Sequence, residues 1–290
     1  MNSQTSHASQ SSNAPSAENM PAQSAPSQAG LELAQAQQDR LDRLLAASSA
    51  SGSRDDVAQW ISAGANPKAF GSAAIELAAR AGHARIVELL IPLSNPLEFA
   101  SPALFSAAKG GHAECVRLLL PASTTFGGSQ ALCIAARHGY ADCVALLIPH
   151  SDPLANNSKP LREAASLGHT ECVRLLIPSS NPTDERSWAL VAAAASGIAA
   201  CADLLAPLSD LSALVDQAIP KAANSHPEVL AALLRWLPLG DPELFGLPKL
   251  RERALLANKL ASASILEAFI ISRSTEIALS IGSRRGPARL

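Results

Sequence analysis

Thiols and imidazoles are the side chains of this 290-residue sequence best suited to covalent or metal chemistry, and their spacing decides what they can do. Cys115, Cys143, Cys172 and Cys201 each stand four residues after a glycine, at Gly111, Gly139, Gly168 and Gly197. An open, electropositive thiol is a nucleophile, and clustered thiols hold zinc or form disulfides. Ile86 occupies the same slot after Gly82, so the slot is a core position. A free cysteine there packs as a small hydrophobe. Equivalent helices of stacked units lie roughly 8–10 Å apart. A disulfide needs Cα atoms within about 7 Å, so these thiols are expected to stay unbridged. No CxxC or HxxxH spacing offers a zinc site. Cys133 lies outside the shared slot.

His83, His112 and His169 directly follow the recurring glycine, but Tyr140 and Ile198 fill that slot elsewhere. A position that accepts Tyr and Ile is not an acid–base catalyst; packing or hydrogen bonding at a turn is the expected role. No single Ser or Cys with His stands out as a nucleophile–base set. Phe126-Gly127-Gly128-Ser129 lacks the G-K-[ST] ending and the flanking strand of a phosphate loop, and reads as a shortened turn. The sequence therefore predicts no catalytic residue, no cofactor and no metal.

The elements behind these positions are repeats. Gly82, Gly111, Gly139, Gly168 and Gly197 are separated by 29, 28, 29 and 29 residues. Ten residues after each comes Pro92, Pro121, Pro149, Pro178 or Pro207, and ten before each comes Ser72, Ser101, Ser129, Ser158 or Ser187. An Ala pair lies between Ser and Gly, as in Ala135-Ala136, and a Leu pair between Gly and Pro, as in Leu146-Leu147. Ser suits a helix N-cap. Ala favours helix and close approach. Gly fits a left-handed C-cap, and Pro stops the second helix. Each unit is thus helix, tight turn, helix, turn, and stacking the units buries a continuous core. Glu114 with Arg117 and Glu171 with Arg174 mark a solvated face of the second helix.

Composition agrees. Apolar residues make up 48% of the chain but aromatic ones only 3%, so small and aliphatic side chains must build the core. A formal net charge of −2 leaves no electrostatic footprint for nucleic acid or an anionic membrane. No window reaches the roughly 18 uninterrupted apolar residues of a membrane span. The first thirty residues hold eight Ser, six Ala, four Gln and one ionised side chain, Glu18, and have no signal-peptide pattern. Residues 1–30 are expected to be a disordered tail. Residues 31–240 are expected to form the repeats, and 241–290 a C-terminal helical cap with a basic tail.

The pattern resembles the ankyrin repeat. Lys159-Pro160-Leu161-Arg162-Glu163-Ala164 matches the T-P-L-H-x-A helix start at Pro, Leu and Ala, and Ala135–Leu147 is similar to the helix-turn-helix centre. A looser unit from Leu44 ends in Gly64-Ala65-Asn66-Pro67, much like the family's repeat end. These units are shorter than the roughly 33 residues of the family. The shortfall lies where the family has its projecting β-hairpin. The expected fold is an all-α, ankyrin-like solenoid with shortened inter-repeat turns.

The resemblance implies a non-catalytic, monomeric protein-binding module with the first helices on the concave side. Two residues before each glycine the chain reads Arg80, Lys109, Arg137, Ser166 and Ala195; one before, Ala81, Gly110, His138, Leu167 and Ser196. Neighbouring core slots hardly change, so packing does not dictate this variation. Arg80, Lys109 and Arg137 would form a basic row facing a protein with an acidic patch, with His138 and Leu167 beside it. Phe70, Phe99 and Phe126 fall in the turns, as seals over the core or as exposed anchors, the seal being the favoured expectation. The repeats and the tail also resemble bacterial effector proteins. That implies synthesis in a bacterial cytoplasm and secretion into a host cell. A resident cytoplasmic scaffold or inhibitor is the alternative, and an enzyme with an unrecognised site the distant one.

Overall fold

The computed structural model describes residues 28–95 and 102–284. Among them the chain is helix and turn, with no strand. The first unit consists of α1 (Gln28–Ser51) and α2 (Arg54–Ser62). The regular units follow as α3 (Ala69–Ala81) with α4 (Ala84–Leu90), and α5 (Pro102–Gly110) with α6 (Ala113–Leu119). Next come α7 (Thr125–His138) with α8 (Ala141–Leu147), and α9 (Ala155–Leu167) with α10 (Thr170–Leu176). The fifth pair is α11 (Asp184–Ser196) with α12 (Ala199–Leu205). The chain then runs from α13 (Leu211–Ala213) through a π-helical stretch into α14 (Ile219–Ser225). It continues with α15 (Pro227–Leu234), α16 (Leu247–Leu256) and α17 (Leu260–Arg284).

First helices stack on first helices, in the order α1, α3, α5, α7, α9, α11, α14 and α16. Second helices stack likewise, from α2 to α17. The Ala pairs of the regular units are fully buried between neighbouring first helices, and the second Leu of every Leu pair is 0% exposed. Both patterns follow from size: alanine lets two helices approach closely, while leucine fills the space between rows. Each second helix ends two residues before its proline, which takes the second position of a short 3₁₀ turn such as Ile148–His150.

The recurring glycines do end the first helices in the left-handed region, with φ between 74° and 83°. The residue after each glycine seats on the glycine of the preceding unit. At Gly139 a Cβ would come within 2.4 Å of the His169 ring. Nε2–H of His83, His112, His169 and His226 donates to the carbonyl of Ala50, Arg80, Arg137 and Ala195 at 3.0–3.1 Å. A carbonyl can only accept, so the proton sits on Nε2. The histidines are therefore stitches between units, as packing at the turn requires. The unit at 211–240 lacks the glycine yet keeps the stitch, through His226 on Gly197.

The repeat serines differ from their expected N-cap role. Ser72, Ser129, Ser158 and Ser187 accept the backbone N–H of Asn95, Asp152, Asn181 and Asp210 at 2.9–3.1 Å, one unit ahead. Asp42 does the same for Asn66 at 2.6 Å. The serine follows a left-handed stretch at Phe70–Ser72, Asn156–Ser158 and Glu185–Ser187, with φ between 49° and 66°. That conformation costs non-glycine residues about 1–2 kcal/mol each; Ser129 makes the same forward bond without it, so the stretch is not what aims the hydroxyl. Ser101 lies outside the described residues.

Two further boundaries move. Helix α1 starts at Gln28, inside the segment expected to be tail. The expected helical cap within 241–290 contains two helices, α16 and α17, broken at Asn258 with φ 56°. The pairs Glu114–Arg117 (2.5 Å) and Glu171–Arg174 (3.4 Å) are solvent-exposed, as their spacing implies.

Candidate partner-binding face

A first helix buries its stack-facing residues against its neighbours and leaves the position two before its glycine open on α3, α5 and α7. Arg80, Lys109 and Arg137 occupy that position, and all three are exposed. Stacking of those helices places them at equivalent points on successive units. Each is in a last helical turn, where a cation is favoured by the helix dipole. Among the described residues Arg80 and Lys109 have no ion pair, and Arg137 has a long one to Glu163 at 3.9 Å. His138 is exposed and stacks on Tyr140 with ring centroids 5.9 Å apart. Leu167 is 51% exposed at the end of α9.

The phenylalanines correct an expectation. Phe126 is 63% exposed and Phe70 57%, so neither seals the core. Phe99 lies outside the described residues. Phe126 is also far from the basic row: it starts α7 while Arg137 ends it, eleven residues or roughly 16 Å along the axis.

A groove of about 680 Å³ joins the two ends. Phe126 and Arg137 line it, and its floor includes Phe105, Cys133 and Ile134. Lys159 and Glu163 of α9 form the far wall. Its origin is the 28-residue unit. The units of α3, α9 and α11 reach the first helix through Asn-Pro or Asp-Pro and a left-handed stretch, but here Ala122-Ser123-Thr124-Thr125-Phe126-Gly127-Gly128 does so one residue sooner. Helix α7 begins regularly instead, with Thr124 as its N-cap, its side chain accepting the Gly127 N–H at 3.1 Å. Gly128 permits this: a Cβ there would lie 2.5 Å from the His150 carbonyl oxygen. The groove opens between a regular helix start in α7 and the left-handed stretch that begins α9.

Chemically the face can bind but offers little to catalyse with. Cys115, Cys143, Cys172 and Cys201 are buried free thiols. Burial pushes the first three up to about 11, so they stay protonated and inert. Cys133 is half-buried in the groove floor, and burial raises its thiol as well, against the pull of Lys159. Among the described residues no His, Cys, Asp and Glu cluster could hold a metal, and no helix is long and apolar enough to cross a membrane. Sequence reasoning missed Phe105, Cys133, Ile134, Lys159 and Glu163 as groove residues. The signal was there: six before the glycine the chain reads Glu76, Phe105, Cys133, Arg162 and Val191, as varied as the basic row itself.

A family model described as ankyrin repeats matches in three copies, at residues 44–128, 75–157 and 132–214, which together cover more than half the chain. The comparison with curated proteins returned no match. Among solved structures the chain is similar to the ankyrin repeat domain of human ASB11. The two are 22% identical, with a TM-score of 0.57, over 67% of this chain and 97% of that one. At that identity the likeness is one of fold.

Proposed function

Since the chain belongs to the ankyrin-repeat family, whose units are protein–protein interaction modules, we propose that it is a non-catalytic binder that meets an acidic protein surface with its row of first helices. One observation carries the reading: Arg80, Lys109 and Arg137 are exposed, register-matched cations on a face whose remaining positions vary without a packing reason. Fixed cations on a rigid scaffold favour a partner by steering and by specificity more than by raw affinity. The Ser-, Gln- and Ala-rich first thirty residues support delivery into a host cell as the setting, with a resident scaffold or inhibitor as its competitor.

The test is charge reversal. A variant carrying Arg80→Glu, Lys109→Glu and Arg137→Glu is expected to lose the partners that wild-type protein captures from host or bacterial lysate. Its helical circular dichroism and melting temperature should be nearly unchanged, because all three side chains are exposed. Undiminished capture by the variant would place the binding face elsewhere.

A further inference from the structure

We propose that the groove between α7 and α9 takes one large apolar side chain of an extended partner segment, whose carboxylates lie on the side facing Lys109 and Arg80. This rests on the first-helix face being the binding face, and adds the chemistry and direction of what binds there. The apolar requirement comes from the floor: Phe105, Cys133 and Ile134 are partly buried, and Phe126 stands 63% exposed beside them. A volume of about 680 Å³ holds more than a single side chain, leaving room for the backbone that carries it.

The direction comes from an asymmetry of charge. Within the groove the signs balance, with Arg137 and Lys159 against Asp152 and Glu163. On α9 the Arg162 cation is already paired: Glu185 accepts from it and from Asn157 at 2.6 Å, and the Asn157 amide, then Arg162, holds the Glu185 carboxyl below the usual range. Toward α5 and α3 the opposite holds. Lys109 and Arg80 are exposed and, among the described residues, without an ion pair. A carboxylate placed at Arg162 would have to break an existing pair, whereas one placed at Lys109 or Arg80 meets an unpaired cation. An occupant with its acids on that side is therefore preferred over its reverse.

The experiment is selection of random displayed peptides on the immobilised full chain, followed by binding of the enriched peptides to three proteins: wild type, Cys133→Trp, which fills the groove, and the double variant Arg80→Glu with Lys109→Glu. The expected result is enrichment of a large apolar residue flanked on one side by Asp or Glu, with affinity falling at least tenfold in both variants. Alkylation of Cys133 gives an independent readout that needs no mutant: bound peptide should slow it several-fold. Acidic peptides that bind Cys133→Trp normally and leave Cys133 alkylation unchanged would overturn the groove assignment while leaving the basic face intact. Enriched peptides without acidic residues, indifferent to the double charge reversal, would overturn the binding face as well.

Discussion

Two recurring polar side chains, a serine and, in four units, a histidine, tie units to their neighbours from opposite ends of the first helix. The serine reaches forward to a backbone N–H and the histidine reaches back to a carbonyl. Ser187 is 0% exposed, so removing its hydroxyl leaves the Asp210 N–H short of an acceptor. Ser187→Ala is expected to cost about 1–3 kcal/mol in urea unfolding. Ser129 makes the same bond at an exposed site, where water can substitute, and Ser129→Ala should cost clearly less. The buried thiols set a second expectation. Cys115, Cys143 and Cys172 are raised from 9.0 to about 11 in the folded chain. The folded form then holds protons that the unfolded form releases. Their contribution is whole below pH 9 and is lost as pH rises from there toward 11. Changing all three to Val, the nearest apolar match to the Ile86 of the same slot, should flatten that alkaline loss when stability is measured across this window.

The helices and their ends were legible in the sequence because each is set by local chemistry. Ala pairs, Leu pairs, Gly and Pro repeat in register, and the observed helices follow them within a residue or two. The connections were not legible. Nothing in Phe70-Gly71-Ser72 or Glu185-Arg186-Ser187 signals three successive left-handed residues, because their stabilisation comes from the next unit. The serine's true partner lies 23 residues ahead, beyond any capping rule. The one irregular connection was visible as a missing residue, but its consequence was not, since an opening between two helices depends on how both begin. Gly128 is the position on which that opening turns. Gly128→Ala drives a Cβ to 2.5 Å from the His150 carbonyl, which is backbone and cannot swing aside. An overpacked core site of this kind typically costs about 1–3 kcal/mol. The expected outcome is a lower urea midpoint, together with altered alkylation of Cys133 as the α7–α9 contact shifts.

At the scale of the whole chain, stability and recognition come from different residues. A solenoid is held by nearest-neighbour interfaces, and here those use Ala, Leu, Cys, Ser and His at recurring slots, all visible as repetition. The proposed recognition face uses the slots that do not repeat. For that reason Arg80, Lys109 and Arg137 could be read from the sequence as a row, while Cys133 and Lys159 could not be joined into one groove without the stacking of α7 on α9. The same division applies to the N-terminus. Residues 1–27 contribute almost no apolar surface and a single ionised side chain, Glu18. A segment of that kind cannot offset the entropy of ordering itself on the solenoid. Removing it should leave the melting temperature unchanged within error, and a drop of several degrees would show that it docks. If folding does not need the segment, it is free to serve as the export signal that the proposed effector setting requires. Fusing residues 1–50 to a reporter should send the reporter out of a strain with a type III apparatus and not out of one without it. Equal export from both strains, or none from either, would remove the effector setting and leave the resident scaffold or inhibitor, with the basic row and its groove unaffected.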